Sequence, residues 1–173
     1  MTLNGIDLAK QSMMDALDLA ILVEEEAQER YEEFALQMEQ HRTPEAAVFF
    51  RHMVENEAKH GRELAERRSQ RFGAAPRKVT RAMLFDIEAP DYDAARAFMS
   101  PRRAMEAALA SEIKAEIFFA EALPGIQDPE VRALFEELRA EEIIHQALVR
   151  AELARLAPDG PDADDFVDEP VAQ

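Results

Sequence analysis

Cysteine is absent from the 173 residues, which excludes disulfides, iron–sulfur clusters and thiolate zinc sites. Glycine is scarce, at 5 residues, and valine and isoleucine are thinly spread among alanine, leucine and glutamate. Such a composition favours an all-helical chain. Basic charge is also short. Against 36 Asp and Glu stand 20 Lys and Arg, a formal net charge of −16. A surface of that sign repels phosphate backbones and argues against DNA or RNA as partners. Long hydrophobic runs are missing too. The most apolar early stretch, "ALDLAILV", is far too short to span a bilayer and contains Asp18. The first residues lack the basic-then-apolar pattern of a secretion signal. A cytoplasmic protein that meets no membrane is expected.

What is present is a mix of 47% hydrophobic and 32% charged residues, enough for one globular domain with a sizeable core. Start and stop signals divide it into four helices. Helix 1 runs from near Ser12 to about Gln40. Thr43-Pro44 is an N-cap followed by proline at the first helical position, and helix 2 then runs to about Phe72, with Gly73 as its stop. Ser100-Pro101 repeats the start signal for helix 3, which Pro124-Gly125 halts after about Leu123. Asp128-Pro129 opens helix 4, which is expected to end near Pro158. Short links make helices 1–2 and 3–4 antiparallel hairpins. The long segment 73–100 returns the chain along the bundle, with a short helix expected near "TRAMLFDIE". Its Met83, Phe85 and Ile87 are candidates to cap the bundle or to meet a second subunit. Residues 1–158 thus read as a four-helix bundle. Residues 159–173, with six acids and no bases, read as a solvated tail.

Each helix carries an apolar stripe at three- and four-residue steps, and each stripe is interrupted by acid. Helix 1 presents Leu17, Ile21, Glu24, Ala27, Tyr31, Phe34 and Met38. Helix 2 presents Phe50, Met53, Glu57, His60 and Leu64. Helix 3 offers Met105, Leu109, Glu112 and Phe119. Helix 4 offers Val131, Phe135, Leu138, Glu142, His145 and Val149. The two hairpins repeat one another. "EEEAQERYEEFA" sets Glu24 on Glu112 and Tyr31 on Phe119 of "EIKAEIFFAEAL". "FRHMVENEAKH" sets Phe50, Glu57 and His60 on Phe135, Glu142 and His145 of "FEELRAEEIIH". Folding one hairpin on the other brings four Glu and two His to mid-bundle about an approximate twofold axis. His41 and His52 fall off this pattern and read as structural. Glu25, Glu29, Glu32 and Glu33 read as a solvated face.

Removing an ionised carboxylate from water costs several kcal/mol or more even after relaxation. Four close together cannot all stay ionised without counter-charge. Two divalent cations supply it. Carboxylate oxygens with one imidazole per metal suit iron or manganese, and zinc would bind as well.

At these residues the chain resembles the ferritin-like di-iron carboxylate proteins, and among them the rubrerythrin group. The resemblance covers both hairpins, about residues 12–157. It implies a ferritin-like fold with two iron ions held by Glu24 and Glu112 from helices 1 and 3, Glu57 with His60, and Glu142 with His145. It makes Glu57 and Glu142 the candidate bridges, and Tyr31 a hydrogen-bond partner to a carboxylate across the site, with catalytic importance. There are departures. The family's further glutamate three residues past the helix-3 ligand is Ala115 here, with Glu116 one residue on. A second tyrosine is replaced by Phe119. No rubredoxin-type domain lies in these residues, since it needs four cysteines.

The resemblance implies an oxidoreductase that reduces hydrogen peroxide or dioxygen. Its electrons would come from a separate rubredoxin-like donor or reductase, and a homodimer is expected. Two other readings stand beside it. One is iron buffering or ferroxidase work, which predicts uptake well beyond two irons per chain. The other is a helical interaction module that a redox-inert ion merely fastens.

Overall fold

The computed structural model describes residues 10–40, 43–83 and 100–156, together with a small backbone ladder ahead of them. In that ladder β1 (Thr2–Leu3) pairs antiparallel with β2 (Ile6–Asp7), Thr2 opposite Asp7. Four helices make up the rest: α1 (Met13–Gln40), α2 (Pro44–Phe72), α3 (Pro101–Ala122) and α4 (Pro129–Leu153). α1 packs along α2 and α3 along α4, and the two hairpins close into the ferritin-like bundle that the sequence implies. Among the described residues no helix is long and apolar enough to cross a membrane.

The helix starts follow their signals. Ser12 Oγ accepts from the Asp15 backbone N–H at 3.2 Å. Ser100 Oγ accepts from Arg103 N–H at 3.1 Å. Asp128 Oδ1 accepts from the N–H groups of Glu130 at 2.8 Å and Val131 at 3.2 Å. Each satisfies donors that an α-helix leaves unpaired at its first turn. Thr43 departs from the expected cap. Its hydroxyl instead donates back to the Met38 carbonyl at 3.0 Å, serving the open end of α1. The stop of α2 is Gly73, with φ of +59° and its N–H on the Ser69 carbonyl at 2.9 Å. A Cβ there would meet nothing within 4 Å, so a side chain is penalised only through the backbone. Gly73→Ala is expected to lower unfolding free energy by about 1–2 kcal/mol, read from urea midpoints.

α4 ends about one turn earlier than expected, at Leu153. The chain then tightens, with Leu156 N–H on the Leu153 carbonyl at 3.3 Å. Arg102 of α3 collects the freed carbonyls, reaching Leu153 O at 3.4 Å and Leu156 O at 2.7 Å. After α2 the crossover runs beside α1. Arg77 donates to Glu25 at 3.3 Å, and Arg81 donates to Glu29 at 2.5 and 2.7 Å. Two of the four acids expected on a solvated face therefore hold the crossover. Of the stretch expected to hold a short helix, the described residues form a 3-10 turn, Arg81–Met83, whose Met83 packs on the core. Phe85, Ile87, His41 and the acidic tail 159–173 lie outside the described residues.

The core is divided. One apolar cluster gathers Leu17, Ile21, Leu64, Phe118, Phe119, Phe135 and Leu138. The other gathers Tyr31, Phe34, Met38, Phe50, Met53, Met105 and Val149. Along the stripes the glutamates and histidines fall between these two clusters. They form a polar layer across the middle of a dry bundle.

Candidate metal centre

Helix phase alone brings the layer inward. Glu24, Glu57, Glu112, Glu142 and His145 are buried, and His60 is half-buried. Glu57 and His60 lie three residues apart on α2, as do Glu142 and His145 on α4, so each pair shares one face. The structure brings all six together. His145 Nδ1 lies 3.2 Å from Glu57 Oε1 and 3.5 Å from Glu112 Oε2. His60 Nδ1 lies 3.8 Å from Glu24 Oε2. The two imidazoles stack, centroids 5.4 Å apart and planes 8° from parallel. Candidate ligand atoms fall into three groups, each within 4.8 Å of one another: Glu24, His60 and Glu141; Glu112, Glu142 and His145; and Glu57 with both histidines. Of the two candidate bridges, Glu57 lies with both histidines, whereas Glu142 lies with Glu112 and His145.

Tyr31 also faces the layer. Fully buried, it donates its hydroxyl across the site to Glu112 Oε1. Burial and the Glu112 charge push its pKa well above the ordinary tyrosine range, so it keeps its proton at neutral pH. Below it, Gln146 donates to the Glu112 carbonyl at 3.3 Å and is itself held by Arg150 at 3.0 Å.

The approximate twofold symmetry of the sequence is broken electrostatically. Burial pushes the Glu24 carboxyl up to about 7. Burial pushes Glu112 upward too, but hydrogen bonds from the His145 and Glu142 side chains outweigh it and hold Glu112 below its ordinary value. Burial likewise pulls His145 down, and its hydrogen bond with Glu112 more than reverses that. His60 has no such support, and burial followed by the nearby His145 lowers it. Its Nδ1 is buried with no hydrogen-bond partner. A buried imidazole nitrogen without a partner, turned toward a carboxylate, fits a metal ligand and is poor design for a purely structural histidine.

Glu24 sets a pH dependence for the metal-free protein. Its folded-state pKa of about 7 lies above the ordinary 4.5, so folding favours its protonated form. That contribution is fully present below pH 4.5 and is lost as pH rises through about 7. The loss is about 3 kcal/mol. Urea unfolding of chelated protein across this range is expected to show the decline, and Glu24→Gln to show a clearly smaller one. An unchanged decline in Glu24→Gln would assign it to another group.

Some residues fall elsewhere. His52 is exposed. Ala115 is buried in the core. Glu116, one residue past Ala115, accepts from Arg139 Nε at 2.6 Å and joins no ligand group among the described residues. Two features were missed. Glu141 joins Glu24 and His60, although a glutamate adjacent to Glu142 carries no periodic signal. Asp18, noted only as a charge within an apolar run, is a buried partner of Arg68.

A family model described as Rubrerythrin matches residues 15–153. The crystal structure of an uncharacterized conserved protein from Magnetospirillum magnetotacticum MS-1 is similar with a TM-score of 0.72 at 27% identity, covering 87% of this chain and 99% of that one. Comparison with curated proteins yields no match.

Proposed function

This chain belongs to the rubrerythrin family, and from that premise we propose that it is a cytoplasmic di-iron oxidoreductase reducing hydrogen peroxide or dioxygen with electrons from a separate donor. The observation that carries the reading is the ligand set itself: carboxylates and two imidazoles converge between two apolar clusters, with His60 Nδ1 lacking any hydrogen bond. Oxygen-rich donors with imidazole suit iron or manganese.

Bound as a ferrous pair, the metal supplies the two electrons that hydrogen peroxide needs, with two protons, to leave as two waters. The chain's own residues do the rest. Glu57 stands between both histidines and holds the two halves in register. Tyr31 is a positioning residue, since its hydroxyl fixes one Glu112 oxygen and leaves the other toward His145. Because Tyr31 stays protonated, it acts as a donor and not as a base. The flanking phenylalanines and methionines exclude water from both ends of the layer.

The test is rapid mixing of anaerobic Fe(II)-loaded protein with hydrogen peroxide. Uptake is expected to stop at about two irons per chain, and oxidation to be complete within the first turnover. Tyr31→Phe is expected to keep the irons and to oxidise them about tenfold or more slowly. Uptake far beyond two irons per chain would favour buffering or storage. Stable binding without oxidation would favour a structural ion. The expected homodimer has apolar surface to cover on α4, where Ile143, Ile144 and Leu148 are exposed.

A further inference from the structure

We propose that Glu141 is an additional metal ligand, supplied by α4 to the ion position formed by Glu24 and His60, and that this position is the exchangeable one of the pair. The inference rests on the metal-centre reading above and assigns a residue that the duplicated motif leaves out.

The ligand groups carry the argument. Without Glu141 the two halves are unequal. The His145 half has two carboxylates of its own, Glu112 and Glu142, while the His60 half has Glu24 alone, with Glu57 shared between the histidines. Glu141 makes the halves alike, each with two carboxylates and one imidazole. α4 can serve both because adjacent residues point about 100° apart on a helix. Glu142 turns to Glu112 and His145, and Glu141 turns to Glu24 and His60. The repeat does not provide this. Aligning Glu57 with Glu142 places Asn56 opposite Glu141, so α2 has no counterpart to it. The rival acid is already engaged, since Glu116 is paired with Arg139 at 2.6 Å.

Independent support comes from His60, whose buried Nδ1 has no hydrogen bond and faces Glu24. Charge agrees. Glu24, Glu57, Glu112, Glu141 and Glu142 make five carboxylates. That number lies midway between the four positive charges of a ferrous pair and the six of a ferric pair.

Exposure separates the two positions. The His145 side chain is 5% exposed and that of His60 is 19% exposed. Glu112 and Glu142 are buried, whereas Glu141 is half-buried. Water and chelators therefore reach the Glu24–His60–Glu141 position first.

Cobalt(II) is the probe. Wild-type protein loaded with cobalt and challenged with excess EDTA is expected to lose its visible absorption in two phases of equal amplitude. Glu141→Gln keeps the shape of the side chain and removes its charge. It is expected to speed the fast phase about tenfold or more and to leave the slow phase unchanged. Glu116→Gln is expected to change neither. A cobalt anomalous map from crystals grown of the loaded wild-type protein, with the Glu141 carboxylate bonded to one ion, would support the assignment without any variant. Wild-type rates in Glu141→Gln, or acceleration of the slow phase only, would overturn it while leaving the metal centre intact. Failure of the wild-type protein to bind cobalt would overturn the metal-centre reading itself, and this inference with it.

Discussion

Glu57→Leu is expected to stabilise the metal-free protein and to abolish nearly all the stability that a divalent ion adds. Glu57 is buried at the centre of the layer, shared between His60 and His145 and hydrogen-bonded with Glu24. Without metal this arrangement is costly. Desolvating a carboxylate costs several kcal/mol, and apolar replacements of buried ionic groups are often neutral or stabilising by about 1–4 kcal/mol. With metal the sign reverses. Ligand at about a hundred times its Kd stabilises the native state by about 2.7 kcal/mol. For a domain of this size that corresponds to a rise of roughly 5–10 °C in Tm. Loss of the shared ligand is expected to weaken binding by about a hundredfold or more, so the rise disappears. Calorimetry of the chelated and Mn(II)-loaded proteins reads both signs. A variant that keeps the metal-induced shift, or whose metal-free form unfolds well below the wild type, would remove Glu57 from the centre.

The second large effect lies away from the metal. Asp18→Ala is expected to cost about 3–5 kcal/mol, the range for removing one partner of a buried ion pair. Asp18 is fully buried on α1 and accepts from the Arg68 guanidinium of α2, whose Nη2 also donates to the Ala75 carbonyl at 2.9 Å. The pair therefore ties α1, the end of α2 and the start of the crossover at one point. Alanine leaves Arg68 charged among apolar neighbours. The expected fall in Tm is roughly 6–20 °C. Asp18→Leu combined with Arg68→Met removes both charges and is expected to recover most of the loss, a strong positive coupling in a double-mutant cycle. If Asp18→Ala alone lowers the unfolding free energy from urea titration by less than about 1 kcal/mol, the pair is solvated in solution and has no such role.

The bundle was legible because its signals are local. Ser100-Pro101 and Asp128-Pro129 start helices wherever the chain goes next, and Gly73 stops one because a positive φ is cheap only there. The inward aim of Glu24, Glu57, Glu112, Glu142 and His145 was legible for the same reason. A helix advances about 100° per residue, so position relative to Leu17, Phe50 or Phe135 decides which face a side chain takes. Tyr31 reached a carboxylate of another helix as the family resemblance implied. Its particular partner, Glu112, followed from how the hairpins sit together.

Sequence by itself therefore determined the four helices, their pairing into hairpins and the six side chains that point inward. Tertiary structure alone decided how those side chains are shared: Glu57 between both histidines, Glu116 taken by Arg139, Glu141 brought to Glu24 and His60, Thr43 turned back to α1, and Asp18 matched to Arg68 fifty residues away. The physical reason is the range of the forces. Helix phase is set by bonds between near neighbours in the chain. Coulomb attraction and desolvation act through space, and their outcome depends on the distances that packing creates.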